Sequence, residues 1–258
     1  MENFHITLPS NVKSDYGNTS SSYRTTLPYK LDLTGDWEVG VSEVFLPVSH
    51  YNIGNGNDRD RQIYFRIPDL VLVGVTISAG NYSTIGDLIK EINRELQTVL
   101  KPPYSCKFHL DDITRHTLIV MSKKPGFSLA HLGTELSYVL GFPLSLRDVD
   151  FRQDGRVVSS YPCDISANLN QVYIYSDLIK TQIVGNTEAK LLRIVSINEG
   201  VFGQVIHKNF DRPQYHALAC NTLSDIQIEL RTGGGKIFPI KFGTTIVQLT
   251  FRRRGLRL

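Results

Sequence analysis

The stretch Trp37-Glu38-Val39-Gly40-Val41-Ser42-Glu43-Val44-Phe45-Leu46-Pro47 (WEVGVSEVFLP) decides how the whole chain is read. Successive side chains of a strand point to opposite faces, so Trp37, Val39 and Val41 share one face. The next residue on that face is Glu43, with Phe45 beyond it. A carboxylate in an apolar row has two readings. It is a catalytic acid held in a cleft, or one extra residue near 40–42 bulges the strand and re-aims the chain. Glycine lacks a Cβ, weakens a strand and often marks a bulge. The bulge turns Val44 and Leu46 inward and Glu43 outward. We adopt that reading: a long core strand bent in its middle, with Glu43 on a surface or an interface and not in a catalytic site.

Outward from this strand, short runs rich in Val, Ile, Thr, Tyr and Phe alternate with Gly, Pro, Asn and Asp clusters. They predict strands at 4–8, 23–27, 37–46, 63–67, 70–77, 106–110, 117–121, 172–175, 190–197, 205–208, 215–219, 226–230 and 246–251. That is too many for one sheet of ordinary size and favours two packed sheets. Two helices interrupt the pattern. In YSTIGDLIKEINRELQTVL, Ile85, Leu88, Ile89, Ile92, Leu96 and Val99 share a helical face. Thr84 and Asp87 form a capping pair at its start, and Pro102-Pro103 stop it. In SLAHLGTELSYVLGFP, Leu129, Leu132, Leu136, Val139 and Leu140 form the stripe, between a Ser128 cap and a Gly141 terminator. The expected architecture is mainly β: a single jelly-roll β-sandwich made by residues 1–77 and 143–258, with a small αβ insertion at 78–142 containing both helices. The stretches YNIGNGNDRDR (51–61) and RDVDFRQDGR (147–156) read as polar loops.

At 258 residues, 41% hydrophobic and 21% charged, the chain can bury a substantial core. No run approaches the roughly 18 apolar residues of a membrane-spanning helix. The opening MENFHITLPS has neither a basic nor an apolar signal region, so no secretory signal is expected and the sequons at Asn18 and Asn81 carry little weight. Three cysteines (Cys106, Cys163, Cys220) are an odd number without a CxxC pair, which suits reduced thiols better than a disulfide framework. Arg252, Arg253, Arg254 and Arg257 crowd the last seven residues with no acid among them; setting them aside leaves 24 basic residues against 25 acidic ones. A neutral body with a basic end argues against nucleic-acid binding by the body and leaves one local patch to explain.

Four groups of residues invite a chemical reading. In HLDDITRH, His109, Asp111, Asp112 and His116 are dense enough to bind a divalent ion, but their spacing fits the tip of an acidic hairpin better. The run RTGGGKIF (231–238) lacks the GxxxxGK[ST] spacing of a phosphate loop and reads as a glycine turn between strands. His216 and Cys220 lie four apart, roughly 13 Å along a strand, too far to pair for nucleophilic catalysis. Cys163 follows Pro162 without a nucleophile signature. No enzymatic activity, cofactor or metal is expected. The arginine cluster alone suggests a contact, either with nucleic acid or with an acidic neighbour.

Several strings together resemble a known family: FHITLPSN (4–11), WEVGVSEVFLP (37–47), TIGDLIKEINREL (84–96), LSYVLGFP (136–143), VYIYSDLIKTQIVGNTEAKLLRIV (172–195) and GTTIVQLTFRRR (243–254). They look like the minor capsid, or penton, protein of the Polinton/Maverick elements, adintoviruses and virophages. RTGGGKIFPIKFG stands outside the resemblance. The resemblance implies a jelly roll of which five copies close an icosahedral vertex beside a separate double-jelly-roll major capsid protein. The expected function is therefore structural, as a homopentameric virion vertex made in the host cell. Arg252, Arg253, Arg254 and Arg257 would then contact packaged DNA or the inner shell. The alternative is a β-sandwich attachment or fibre-associated protein that binds a receptor or glycan through its loops.

Overall fold

The computed structural model describes residues 3–13, 16–68, 71–144, 155–167, 169–198 and 200–254. In chain order the elements begin with β1 (Asn3–Pro9), β2 (Ser22–Asp32), β3 (Trp37–Pro47), a 3-10 helix (Asp58–Arg61), β4 (Gln62–Ile67), β5 (Val71–Thr76) and α1 (Ile85–Val99). Next come β6 (Cys106–Leu110), β7 (Thr117–Met121), β8 (Ser128–Leu132), α2 (Thr134–Val139), β9 (Arg156–Val158), β10 (Gln171–Ser176), β11 (Gln182–Val184) and β12 (Thr187–Ala189). The last are β13 (Leu191–Ser196), β14 (Val205–Asn209), β15 (His216–Ala217), β16 (Thr222–Arg231) and β17 (Ile246–Arg253). The chain divides into two compact units, residues 1–50 with 168–258, and residues 51–167.

The first unit holds two antiparallel sheets. One has the order β1-β17-β3-β14, with β15 also pairing β3; the other has the order β13-β10-β16-β2. Without the short β11, β12 and β15, its eight strands pair first to eighth to third to sixth, and second to seventh to fourth to fifth. This order is that of a jelly roll, built from two Greek keys. Val39, Val41, Ile174, Leu192, Ile226, Leu230, Leu249 and Phe251 lie in one continuous buried cluster. Tyr23 is also buried there, and its hydroxyl donates to the Leu8 carbonyl at 3.1 Å, the partner a buried phenol requires.

The bend expected in β3 is present. Against β17, Glu43 stands opposite Gln248 and Val41 opposite Leu249, so Ser42 is the extra residue. Trp37, Val39 and Val41 before it, and Val44 and Leu46 after it, are all buried. Glu43 turns outward, with 32% of its side chain exposed, and lies 3.3 Å from His207 Nε2 on the edge strand β14. It does stand beside a histidine, but on an exposed sheet face. Gly40 has a different role from the one expected. It pairs regularly with Thr250, and a Cβ there would lie 2.7 Å from the Gln214 carbonyl oxygen and 3.1 Å from Pro213 Cβ. The glycine admits a loop that presses on the strand; the bulge sits two residues later.

The second unit surrounds a separate core that includes Ile53, Phe65, Leu88, Ile92, Phe108 and Leu136. Its sheets are β5-β4-β8 and β6-β7-β9. Helix α1 follows its sequence closely. Thr84 accepts from the Asp87 N–H at 3.1 Å and donates to the Asp87 carboxylate at 2.8 Å, and Ile85, Leu88, Ile89, Ile92 and Leu96 are buried. Val99, expected on that face, is exposed, and Leu100 takes the buried place.

The second helix is a correction: residues 128–132 form β8, and only Thr134–Val139 is helical, with Gly133 and not Ser128 at the N-cap. Against β4, Leu129 stands opposite Phe65 and His131 opposite Tyr64, which leaves Ala130 as an extra residue. The bulge brings Leu129 and Leu132, three apart, onto the buried side, so a bulged strand imitates helical spacing. This unit is wider than the expected 78–142, because β4 pairs both β5 and β8 while β7 pairs β9. Those pairings tie 62–76 and 156–158 to the helical core.

The polar loop at 51–61 wraps one carboxylate. Glu135 of α2 accepts from the consecutive backbone N–H groups of Gly54 (2.7 Å), Asn55 (2.9 Å) and Gly56 (2.9 Å), a nest of donors around an anion. Replacing Glu135 by Ala is expected to cost about 1–2 kcal/mol in urea denaturation and to speed amide hydrogen exchange at residues 54–56. Gly40→Ala is expected to cost about 1–3 kcal/mol, because its methyl meets a backbone carbonyl that must move. Ser42→Ala, at the bulge itself, should stay within about 1 kcal/mol of the parent protein.

Candidate functional site

The arginine cluster is built into the last strand. Arg252 stands opposite Glu38 and donates to its Oε2 from Nε (3.0 Å) and Nη2 (2.9 Å). Its guanidinium also lies 3.6 Å from the centroid of the Tyr215 ring, a cation–π contact. Arg254 Nε is 3.7 Å from the other Glu38 oxygen, and Arg253 lies over Gly35. Arg257 is outside the described residues. The strand expected to end at 251 runs to Arg253, so Arg252 and Arg253 are placed by β-pairing. Two guanidinium groups share one carboxylate, which leaves the patch positive.

The other candidates are placed as follows. His109 projects from the exposed face of β6. Asp111 Oδ1 accepts from the N–H groups of Ile113 (2.9 Å) and Thr114 (3.2 Å). The Thr114 hydroxyl, with these N–H groups, holds the Asp111 carboxyl below the usual range. His116 Nδ1 lies 2.7 Å from the Ser159 carbonyl. Among the described residues, no group of three or more His, Cys, Asp or Glu is disposed to hold a metal ion. The glycine run closes a turn through Thr232 N–H to Lys236 O (2.8 Å) and Gly235 N–H to Thr232 O (2.9 Å). Only Gly235 of the three takes a positive φ, +79°. His216 Nε2 faces the Leu192 carbonyl at 3.1 Å, while Cys220 is exposed and donates toward Thr222 O at 3.4 Å. Burial pushes up the thiols of Cys106 and Cys163.

A richer constellation, absent from the sequence reading, covers the outer face of the second sheet. Tyr173 stands opposite Arg231 and Tyr175 opposite Glu229 across β10 and β16, and Gln227 stands opposite Arg24 across β16 and β2. Arg24 donates to Gln227 Oε1 (2.6 Å), and Gln227 Nε2 donates to Glu229 Oε1 (2.9 Å). Arg231 donates to Glu229 Oε2 from Nε (2.8 Å) and Nη2 (2.6 Å). Asp177 accepts from the Gln227 backbone N–H at 3.0 Å. Arg24 also pairs with Asp225; the Ser224 hydroxyl and then Arg24 hold the Asp225 carboxyl below its ordinary range. A cleft of about 410 Å³ lies over this ladder. The alternating strings QVYIYSD and DIQIELR carry these groups, but each alone reads as an ordinary outward row. Only the register of these two strands with each other, and of β16 with the Arg24 strand β2, joins them.

Among the described residues no helix is long and apolar enough to cross a membrane. No protein-family model matches the chain, and no curated protein matches it. Among solved structures the chain is similar to the crystal structure of the selenomethionine-labelled mavirus penton protein, at 10% identity and a TM-score of 0.49, over 98% of this chain and 99% of that one.

Proposed function

We propose that the chain is a structural protein of an icosahedral virion, five copies of which form the vertex. The strand order carries this reading: two four-stranded sheets wound as a jelly roll, an architecture that recurs in viral capsid domains. The strings along the chain that resemble penton proteins support the same reading, as does a body whose charges nearly cancel away from the arginine cluster. A closed ring of identical subunits uses heterologous contacts, in which two different edges of one copy meet head to tail. Among the described residues the first unit presents four such edges: β1 and β14 of one sheet, β13 and β2 of the other. In this reading the partner outside the ring is a double-jelly-roll major capsid protein, the protein resides in the virion, and its role is assembly and not catalysis. Arg252, Arg253, Arg254 and Arg257 then face packaged DNA or the inner shell.

Native mass measurement of the purified protein, alone and mixed with its major capsid partner, should show a five-copy ring or incorporation at fivefold vertices. A persistent monomer or trimer that never enters a shell would overturn the proposal. Arg253→Gln combined with Arg257→Gln spares the pairs made to Glu38. It is expected to leave assembly intact and to lower DNA retention most clearly at low salt, where phosphate contacts are strongest.

A further inference from the structure

We propose that the cleft on the outer face of the second sheet binds a neutral carbohydrate. Its floor is the central strand pair β10 and β16, and its walls are the base of the β11–β12 hairpin at Ala189 and Lys190 and the glycine turn at Gly235. The Arg231 Nη1 bond to the Gly235 carbonyl, at 2.7 Å, ties that second wall to the floor. The volume, about 410 Å³, lies within the range of small-molecule sites.

The chemistry of the lining selects the ligand class. Tyr175 lines the cleft with a half-buried ring; the Arg231 guanidinium stands over it at 6.0 Å from the centroid, and the remaining ring surface offers the C–H face of a pyranose an apolar contact. Around it stand acceptors (Asp177, Glu229), donors (Lys190, Arg231) and an amide that is both (Gln227). A sugar hydroxyl donates and accepts at once, so a wall offering both senses suits it. These groups hold one another in place before any ligand arrives: Gln227 and Arg231 fix Glu229, and Lys190 Nζ donates to the Asp177 carbonyl at 3.1 Å. Such preorganisation lowers the entropic cost of binding.

Other ligand classes fit less well. The two acids and two bases cancel, whereas a phosphate-rich ligand needs a net positive surface. An extended peptide adds to a sheet edge, and this floor consists of interior strands. The inference is independent of the vertex reading, since a capsid subunit or a free module could carry the cleft.

Saturation-transfer NMR with lactose, maltose and cellobiose at millimolar concentration tests it and tolerates a large assembly. At least one of the three should receive saturation at its ring protons. Tyr175→Ala should weaken binding about tenfold or more, as expected when an aromatic anchor is lost, and Tyr175→Phe should retain it. Ala189→Trp, which fills the cleft from the wall and leaves the floor intact, should block binding even if the Tyr175 truncation fails to fold. Absence of transfer to all three sugars would overturn the proposal. So would transfer that survives Ala189→Trp unchanged, or binding of adenosine monophosphate in the cleft where none of the sugars binds.

Discussion

A strand that lies inside a sheet and covers a core must keep one face apolar along its whole length, and β3 meets this demand only by inserting a residue. Without a bulge to absorb Ser42, regular alternation would carry Val44 and Leu46 to the outer face and turn Glu43 and Phe45 toward the core. Exposing two such side chains costs about 1.5–3 kcal/mol each, and an unpaired carboxylate in the core costs more. A disrupted ladder position costs about 1 kcal/mol. The bulge wins by a wide margin. The first sheet depends on it, because β3 pairs with β17 on one side and with β14 and β15 on the other.

The same residues explain what was legible in the sequence. Period-two runs located most of the strands, and the apolar stripe of α1 located its buried face apart from the last turn. Segment 128–132 reads as a helix because a bulge places Leu129 and Leu132 three apart on one side, the spacing a helix would also give. Strands β8, β9, β11 and β12 are too short or too irregular to show a period. The outer-face ladder was illegible for a different reason. Tyr175 and Glu229 lie more than fifty residues apart, and no local pattern announces which rows will register. Arg252 and Glu38 are separated more widely still, so a strand end read as a basic tail.

Carboxylates in this protein organise backbone and strand ends. Glu135 gathers three consecutive N–H groups of one loop, Asp111 closes its own hairpin turn, and Glu38 ties down the final strand. Each arrangement lends order to a few residues with little apolar surface of their own, which for the final strand means its arginine end and not the buried Leu249 and Phe251. The outward ladder on the second sheet extends the pattern: its charges are satisfied laterally, which lets a polar sheet face stay ordered.

The connectivity sets the order in which the two cores can form as the chain emerges. Residues 51–167 are contiguous and can close their core while the remainder is still being synthesised, since domains fold as units from the N-terminal side. The jelly roll has no such freedom. Among the described residues strand β1 pairs with β17 alone, and β2 pairs with β16, so both stay without these partners until those much later strands are made. Such distant pairing slows folding and leaves Phe4, Ile6 and Leu8 without their strand neighbour until β17 has been made.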